Sequence, residues 1–270
     1  MSERFERTLP LGAPLPGSSF VDLLSSVGAT PRWDIPAGVA GTIQAPEGTT
    51  VLALRYAGGV VMAGDRRATE GHLVAHRHLQ KVFQADRHST VAIAGTAGLA
   101  IEMVRLFQVE LEHYEKIEGT RLTLEGKANF LARLVRNQLP MAFQGLVVVP
   151  LFAGYDPRRR IGRLWKYDVT GGRYEETEYD ASGSGGLYAR ESVKKAFRPG
   201  LSREDALRIA VQALADAADE DRATGGVDLA RGIFPLVCVC TAAGVEEVDR
   251  ETLERVYRDQ VIAPRVHAEA

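Results

Sequence analysis

From Thr49 onward, apolar residues occur in short runs whose alternation and β-branched content are typical of β-strands. Residues 49–56 and 59–66 form two such runs around the glycine pair Gly58-Gly59, which predicts a hairpin. Residues 81–86 and 90–95 form a second pair around a short polar turn. We therefore expect four strands before the first helix.

Two later stretches carry apolar residues three or four positions apart, the spacing of one helical face. Gly119 lies between the two predicted helices, and Pro140 is expected to end the second. Their apolar positions are Leu99, Met103, Phe107, Leu111 and Tyr114 in the first helix, and Leu124, Ala128, Leu131, Val135 and Leu139 in the second.

The pattern then returns to strands, predicted at residues 146–156, 161–169 and 173–180. Helices are predicted at 188–197 and from Ser202 onward, followed by an apolar strand at 233–242 and an acidic tail. Blocks of strands that alternate with helix pairs favour an α+β fold over a doubly wound parallel sheet. The simplest arrangement is two face-to-face antiparallel sheets with helices outside.

Residues 1–48 differ from the rest of the chain because they contain half of its 12 prolines, with glycines and serines between them. This composition predicts an extended or weakly ordered leader. We expect two parts, a leader at 1–48 and a folded domain at 49–270.

Composition narrows the function classes. The 270 residues include 33 Lys plus Arg and 35 Asp plus Glu, a formal net charge of −2, which argues against a basic nucleic-acid binder. No apolar run of membrane-spanning length occurs, and the charged, proline-containing start does not resemble a signal peptide. The two cysteines, Cys238 and Cys240, are too close to staple a fold, which favours a reducing compartment such as the cytoplasm.

The boundary between leader and domain reads Gly48-Thr49-Thr50. A threonine hydroxyl becomes an effective nucleophile when a base lies within hydrogen-bond reach, and the amine of a chain terminus is such a base. Cleavage of the Gly48–Thr49 bond would create that amine, and the leader would then be a removable cap. The alternative is a linker followed by a strand that begins with two threonines.

Three further residues have chemistry that fits such a site. Asp65 ends the second predicted strand, and Lys81, which opens the third, could stay charged beside it and lower the pKa of its neighbours. Gly95 lies in a strand-to-helix turn, where a backbone N–H can stabilise an oxyanion. The alternatives are a surface ion pair and an ordinary tight connection.

Taken together, the runs GTTVLAL, AGDRRAT, QKVF and IAGTAG resemble the β subunit of the 20S proteasome, a threonine protease with an N-terminal nucleophile. GSG at 183–185 and DRATGG at 221–226 match two further family blocks, and the long leader and RGIFPL are most similar to the actinobacterial form. The resemblance covers nearly all of residues 49–245. It implies a four-layer αββα sandwich.

Carried over residue by residue, the resemblance implies a catalytic set. Thr49 is the nucleophile and, through its freed amine, the proton acceptor. Lys81 supplies positive charge, Asp65 orients Lys81, and the N–H of Gly95 forms the oxyanion hole. Gly48 and Thr49 flank the bond at which the precursor cleaves itself.

The resemblance also implies that Ser184, Asp221 and Thr224 support the amine. The family often has serine where this chain has Thr224, which keeps the hydroxyl and adds a methyl group. Ser182 is the alternative register to Ser184, which we prefer because glycines flank it. The family's substrate pocket maps to apolar residues, which predicts cleavage after apolar side chains: Ala68, Leu79, Phe83, Ile93 and Ala97.

The implied assembly is a homo-heptameric β ring, stacked on a second β ring and on rings of α subunits. A ring-shaped ATPase would feed unfolded proteins, tagged with a small ubiquitin-like protein in the actinobacterial system. No organic cofactor or metal is expected, because no acidic or cysteine ligand completes a set with His72, His76 and His78. Neither a nucleic acid nor a membrane is an expected partner.

Three alternatives remain at this point. A catalytically silent β subunit would have the same fold, although such subunits usually lose the threonine or the lysine. A proteasome-like peptidase that pairs with an ATPase without α subunits also begins with two threonines, but its leader is minimal. A non-enzymatic binding module leaves the Gly48-Thr49 boundary unexplained.

Overall fold

The computed structural model describes residues 48–70 and 73–264. The leader predicted at 1–48 therefore lies outside the described residues except for Gly48. The described strands are β1 Thr50–Tyr56, β2 Gly59–Gly64, β3 Ala68–Glu70, β4 Leu73–His76, β5 Val82–Asp86, β6 Ser89–Gly95, β7 Val148–Asp156, β8 Ile161–Tyr167, β9 Arg173–Glu176, β10 Tyr179–Gly183, β11 Leu236–Thr241 and β12 Gly244–Glu247.

The described helices flank these strands in the predicted order. They are α1 Ala97–Glu118, α2 Leu124–Asn137, α3 Leu139–Ala142, α4 Gly186–Ala196, α5 Arg203–Glu220 and α6 Arg250–Val256, which continues as a π-helical segment, Tyr257–Ile262. Within the described part of the chain, no helix combines the length and the apolar character that a membrane span needs.

Two five-stranded sheets form the centre of the fold. The first sheet has the order β10-β1-β2-β11-β12 and the second β5-β6-β7-β8-β9, and every strand pair in both is antiparallel. Strands β3 and β4 make a separate two-stranded ribbon. The α+β fold with antiparallel sheets is confirmed.

Strand β1 shows why the fold has four layers. Val51 and Ala53 belong to an inner core between the two sheets, whereas Leu52 and Leu54 belong to an outer core beneath α4, α5 and α6. Side chains alternate along a strand, so β1 is buried on both faces and reads as a continuous apolar run. Helices α1 and α2 cover the outer face of the second sheet in the same way, which completes the αββα sandwich.

Capping side chains and a glycine mark the ends of several helices. Thr123 and Ser202 cap α2 and α5 by accepting hydrogen bonds from backbone N–H groups of the first turn. Gly119 ends α1 in the left-handed region. Most of the predicted inner face of α1 is buried, but Tyr114 is exposed.

Several boundaries differ from the sequence prediction. Residues 173–180 are not one strand: β9 pairs in the second sheet and β10 in the first. The chain crosses between the sheets at Thr177 and Glu178, whose carbonyl groups both accept hydrogen bonds from Arg55. An alternating pattern continues through such a crossing, because each strand is half-buried in its own sheet.

Further elements were not predicted. Strand β4 of the ribbon β3–β4 reads LVAH, with three consecutive apolar residues that are all exposed, so it lacks the alternation that marks a half-buried strand. Pro140 lies in the first turn of the short helix α3 rather than ending α2, a position where proline's missing N–H costs no hydrogen bond. The acidic tail forms β12 and α6.

The sheet topology places the candidate residues at one end of the sandwich. Thr49 directly precedes β1, and β1 pairs with the end of β10 through Thr50 and Gly183. On its other side β1 pairs with the end of β2 through Val51 and Gly64, one residue before Asp65. Three strand ends of the first sheet therefore meet beside Thr49.

Candidate active site

Thr49 is almost completely buried, with 6% of its surface exposed. Its backbone N–H points to the hydroxyl of Ser184 at 3.4 Å, and its carbonyl oxygen accepts the N–H of Ser184 at 2.8 Å. The residue is therefore held from the side of β10 by both backbone groups. Ser184, rather than Ser182, makes these contacts.

Lys81 joins Asp65 to the peptide bond before Thr49. Its ammonium donates to the Asp65 carboxylate at 2.6 Å, to the carbonyl oxygen of Gly48 at 2.9 Å and to the carbonyl oxygen of Arg67 at 2.5 Å. An ammonium group has three hydrogens and no acceptor. All three hydrogens therefore have partners, which is the arrangement of a charged lysine.

Burial and Asp65 shift the pKa of Lys81 in opposite directions. Burial lowers the pKa of Lys81 below 10.5, whereas the charge and hydrogen bond of Asp65 raise it. Asp65 is itself fully buried and also accepts the N–H groups of Thr50, Arg67 and Gly225. A buried carboxylate with so many donors offers a stable counter-charge to the lysine.

A second group of side chains lies on the other side of Thr49. Asp221, just after α5, accepts the hydroxyl hydrogens of Ser184 and Thr224 on one carboxylate oxygen, at 2.6 Å each. Burial raises the pKa of Asp221, but these two hydrogen bonds and the N–H of Ala223 outweigh it, so the pKa lies below its ordinary value. Asp221 is a carboxylate at neutral pH and orients the Ser184 hydroxyl that faces Thr49.

Gly95 ends β6 on the second sheet and has a φ of 106°. A Cβ atom at this position would lie 2.1 Å from the carbonyl oxygen of Val147. Positive φ and this close approach together require glycine. The backbone thus bends sharply between β6 and α1, directly across from Thr49.

A cleft of about 280 Å³ separates Thr49 from Gly95. Its floor and walls are mostly apolar or backbone, and no acidic or basic side chain contributes to it. The lining residues are Gly48, Thr49, Ala94, Gly95, Thr96, Gly145, Val147, Val149, Ser182, Gly183 and Ser184. The cleft brings Thr49 and the backbone of Gly95 to one space, whereas the buried Lys81 ammonium reaches it only through the carbonyl oxygen of Gly48.

Comparisons with known proteins identify the family. The sequence model of the family described as "Proteasome subunit" matches residues 45–230, more than half of the chain. The chain belongs to the proteasome subunit family. The matched segment contains every candidate residue named above, from Gly48 to Thr224.

Curated relatives are similar over 82% to 95% of their own lengths. A proteasome subunit beta of Acidimicrobium ferrooxidans is 54% identical over 263 residues, which cover 95% of each chain. One of Streptomyces griseus subsp. griseus is 55% identical over 91% of this chain and 89% of its own. One of Acidothermus cellulolyticus is 55% identical over 87% and 82%. The resemblance to actinobacterial β subunits is confirmed.

Within this proteasome-family chain, the residues predicted for the substrate pocket lie on β3, β5, β6 and α1 or just before Lys81. Ile93 and Phe83 pack in the outer core beneath α1, and Ala97 is the first residue of that helix. Ala68 is buried on β3, and Leu79 is partly buried just before Lys81. None of the five lines the cleft beside Thr49, so the predicted pocket remains a prediction.

Sequence reasoning missed two participants. Thr50 is fully buried, and its hydroxyl lies 2.6 Å from that of Thr224. Arg67 contributes its carbonyl oxygen to Lys81. The second threonine of the Thr49-Thr50 pair was visible in the sequence, but its partner is 174 residues away, and a backbone carbonyl has no sequence signal.

The other signals have ordinary structural explanations. Cys238 and Cys240 are buried on β11 and face the inner core, as small core residues do. Among the described residues, which do not include His72, no group of three or more histidine, cysteine or acidic side chains could hold a metal ion. His76 and His78 are exposed.

Proposed function

We propose that the chain is a catalytic β subunit of a proteasome core, a threonine endopeptidase made as a precursor that cleaves itself between Gly48 and Thr49. The contact of Lys81 with the Gly48 carbonyl oxygen carries this proposal. It brings a positive charge to the carbonyl group of the bond that must break. Silent subunits usually lose the threonine or the lysine, whereas this chain keeps Thr49 and buries Lys81 against Asp65.

Precursor cleavage begins when the Thr49 Oγ attacks the Gly48 carbonyl carbon. The carbonyl oxygen takes up negative charge, which the Lys81 ammonium stabilises. The C–N bond then breaks, and the nitrogen takes the proton that leaves Oγ. The product is an ester between Gly48 and the Thr49 Oγ, which water hydrolyses to a Gly48 carboxylate and a free Thr49 amine.

Peptide hydrolysis repeats this chemistry on a substrate. The Thr49 amine accepts the proton of Oγ, as terminal amines have pKa values of about 7.7 to 8.0 and are partly neutral near pH 7 to 8. Ser184 and Asp221 hold this amine, and the N–H of Gly95 receives the oxyanion. Water activated by the amine releases the acyl group, and no metal or organic cofactor takes part.

The cleft supports a preference for apolar substrates. Its side chains include Ala94, Val147 and Val149, and it lacks a charged group that would pair with a basic substrate residue. The pocket residues predicted from the sequence are apolar too. We propose cleavage after apolar residues.

The proposal also covers processing and assembly. Removal of residues 1–48 would make Thr49 the first residue of the mature chain. The relatives are named proteasome subunit beta, which supports assembly into a proteasome core. We propose a homo-heptameric β ring, paired with a second β ring and with α rings, in the cytoplasm. A ring ATPase would supply unfolded proteins, including ones tagged with a small ubiquitin-like protein.

The first test is intact mass and N-terminal sequencing after co-expression with the α subunit of the same organism. We expect a terminus at Thr49, peptidase activity, and neither of these in Thr49→Ala. Thr49→Ser keeps a hydroxyl and should retain both. Thr123→Ala removes a threonine hydroxyl from the cap of α2, outside the cleft, and should behave as the parent chain.

Other outcomes discriminate the alternatives. An assembled ring that keeps Met1 would overturn the catalytic proposal and favour a silent subunit. Full processing and activity without any α subunit would overturn the proposed assembly and favour the simpler peptidase. A processed, active Thr49→Ala chain would exclude Thr49 as the nucleophile.

A further inference from the structure

Thr50 is a polar residue at an apolar position. Its strand neighbours on the same face, Leu52 and Leu54, belong to the outer core, and Thr50 itself is fully buried. A valine of the same shape would continue this apolar row. The hydroxyl group therefore calls for an explanation other than packing.

The donors and acceptors in the hydrogen bonds around Thr50 can be assigned by starting from the Asp221 carboxylate. Asp221 is a carboxylate and can only accept, so the Thr224 hydroxyl donates its single hydrogen to it. Thr224 must then accept from the Thr50 hydroxyl, 2.6 Å away. Thr50 in turn accepts the N–H of Gly185 at 3.0 Å.

This chain of donors ends on the same carboxylate oxygen that orients Ser184. From one side, the chain runs from Gly185 through Thr50 and Thr224 to Asp221. From the other side, Ser184 donates to that oxygen and accepts the N–H of Thr49. The Thr50 hydroxyl thus acts on the groups that hold Thr49 although it does not touch the Thr49 side chain.

Thr50 also belongs to the lysine side of the site. Its N–H donates to the Asp65 carboxylate at 2.8 Å, and its carbonyl oxygen accepts the N–H of Asp65 at 3.0 Å. Asp65 binds Lys81. One residue therefore ties together the two groups of side chains that flank Thr49.

The space around the Thr50 hydroxyl is closed. A Cβ atom on Gly185 would lie 2.4 Å from the hydroxyl oxygens of both Thr50 and Thr224, and 3.2 Å from Asp221. The backbone of Gly185 therefore lies so close to these two hydroxyls that a side chain at this position would have no room. Fully buried hydroxyls in such contact have few alternative partners, so their orientation is well defined.

We propose that Thr50 is a positioning residue for the threonine protease reaction: its hydroxyl fixes Thr224 and Asp221, and through them the Ser184 hydroxyl that holds the Thr49 amine. The inference rests on the proposed function, since it needs Thr49 to be the nucleophile. It assigns Thr50 no contact with substrate.

The test compares Thr50→Val with Thr50→Ser in the assembled, processed particle. The rate of cleavage of a fluorogenic peptide is measured and divided by the number of competent sites. These sites are counted with a peptide epoxyketone, which bonds to both the hydroxyl and the amine of a terminal threonine. We expect kcat per labelled site to fall roughly ten- to hundredfold in Thr50→Val, the scale of a small misplacement of reacting groups. KM should stay unchanged, and Thr50→Ser should restore kcat.

Thr90→Val is the matched control. Thr90 is also fully buried, and its hydroxyl lies 3.4 Å from Cys240 Sγ, between the sheets and away from the cleft. We expect its kcat per labelled site to equal that of the parent. A structural role of Thr50 would lower the labelled fraction and leave kcat per site intact, and that result would overturn the proposal.

Thr224→Val provides a second route if Thr50→Val does not assemble. It removes the next hydroxyl in the chain and should lower kcat per site in the same way. In the double variant the loss should not exceed that of the worse single variant, because both act through one chain. Multiplicative losses would overturn the proposal.

The Thr49→Ala variant separates this inference from the proposed function. If Thr49→Ala is inactive while Thr50→Val keeps its full kcat per site, only the role of Thr50 is wrong. If Thr49→Ala is processed and active, the proposed function itself is wrong, and the Thr50 inference falls with it.

Discussion

The Lys81 ammonium lies 2.9 Å from the carbonyl oxygen of Gly48, the last residue before Thr49. The same ammonium is 2.6 Å from the Asp65 carboxylate. All three hydrogens of this ammonium already have acceptors, so its orientation is fixed before the reaction. One of the acceptors, the Gly48 oxygen, gains negative charge in the proposed cleavage, and the ammonium stabilises that charge.

The charge of Lys81 should be visible in the pH dependence of precursor cleavage. Because burial lowers the pKa of Lys81, the cleavage rate should fall on the alkaline side at a pH below 10.5. Asp65 raises that pKa, so Asp65→Asn should move the fall to still lower pH. Mass spectrometry of the leader's release at each pH gives the rates.

Asp168, a half-buried residue directly after β8, offers a control for this experiment. Asp168→Asn also removes a carboxylate but leaves the surroundings of Lys81 unchanged, so the alkaline fall should stay in place. A cleavage rate that rises steadily through the titration of Lys81 in the parent chain would show that its neutral form is the active one.

Gly95 and Gly98 form a natural pair for substitution by alanine. A Cβ on Gly95 would lie 2.1 Å from Val147 O, whereas nothing lies within 4 Å of a Cβ on Gly98. Gly95→Ala should lose most peptidase activity and destabilise the fold by roughly 1–3 kcal/mol. Gly98→Ala in the first turn of α1 should be neutral or stabilise by up to about 1 kcal/mol.

Thermal unfolding and peptidase assays of both variants check this prediction. Equal activity in Gly95→Ala and the parent chain would mean that the bend at this position has no part in the reaction.

The buried pair of Lys127 and Asp86 should contribute to stability through compensation of charge. Lys127 on α2 is 4% exposed and contacts the Asp86 carboxylate. Lys127→Met leaves a partly buried carboxylate without its cation and should cost about 3–5 kcal/mol. Adding Asp86→Asn should recover most of the loss.

Chemical denaturation of the full-length precursors measures these differences. The exposed pair Lys116 and Glu112, four residues apart on α1, is the comparison. Lys116→Met should change the free energy of unfolding by no more than about 0.5 kcal/mol. A cost for Lys127→Met as small as this would contradict the prediction.

The two thiols should be inert in the folded protein. Burial raises the pKa of Cys238 and of Cys240 to about 12. The thiolate is the reactive form, so neither should react with iodoacetamide at pH 8 in the native state. Both should react after unfolding in guanidinium, and the mass increase counts them; rapid modification of the native chain would show that β11 opens.

Much of the fold was predictable because the spacing of apolar residues along the chain reflects which side chains are buried. The inner faces of α1 and α2, the hairpin β1–β2 and the order of strand and helix blocks all follow from it. The crossing of the chain from β9 to β10 could not be predicted in this way, since residues alternate between the two faces of a strand in the same way in both sheets. Nor could the ribbon β3–β4 be predicted, since β4 reads LVAH without alternation of apolar and polar residues.

The candidate site divides in a similar way. Thr49, Asp65, Lys81 and Ser184 came from motifs that resemble a known family, and the structure brings them together. The role of Thr50 depends on a contact with Thr224, which only the folded chain creates. Hydrogen bonds between distant residues leave no periodic trace in a sequence.

The cleft lies between the sheets, with Thr49 carried by the first and Gly95 by the second. The distance from the proposed nucleophile, Thr49, to the proposed oxyanion donor, Gly95, thus depends on the thickness of the side-chain layer between the sheets, which includes Val51, Ala92 and Cys238. Mutational drift in this layer would alter the catalytic rate without changing any residue that a substrate meets. In the proposed peptidase, natural selection should therefore constrain the volumes of these inner side chains as strictly as the identity of Thr49.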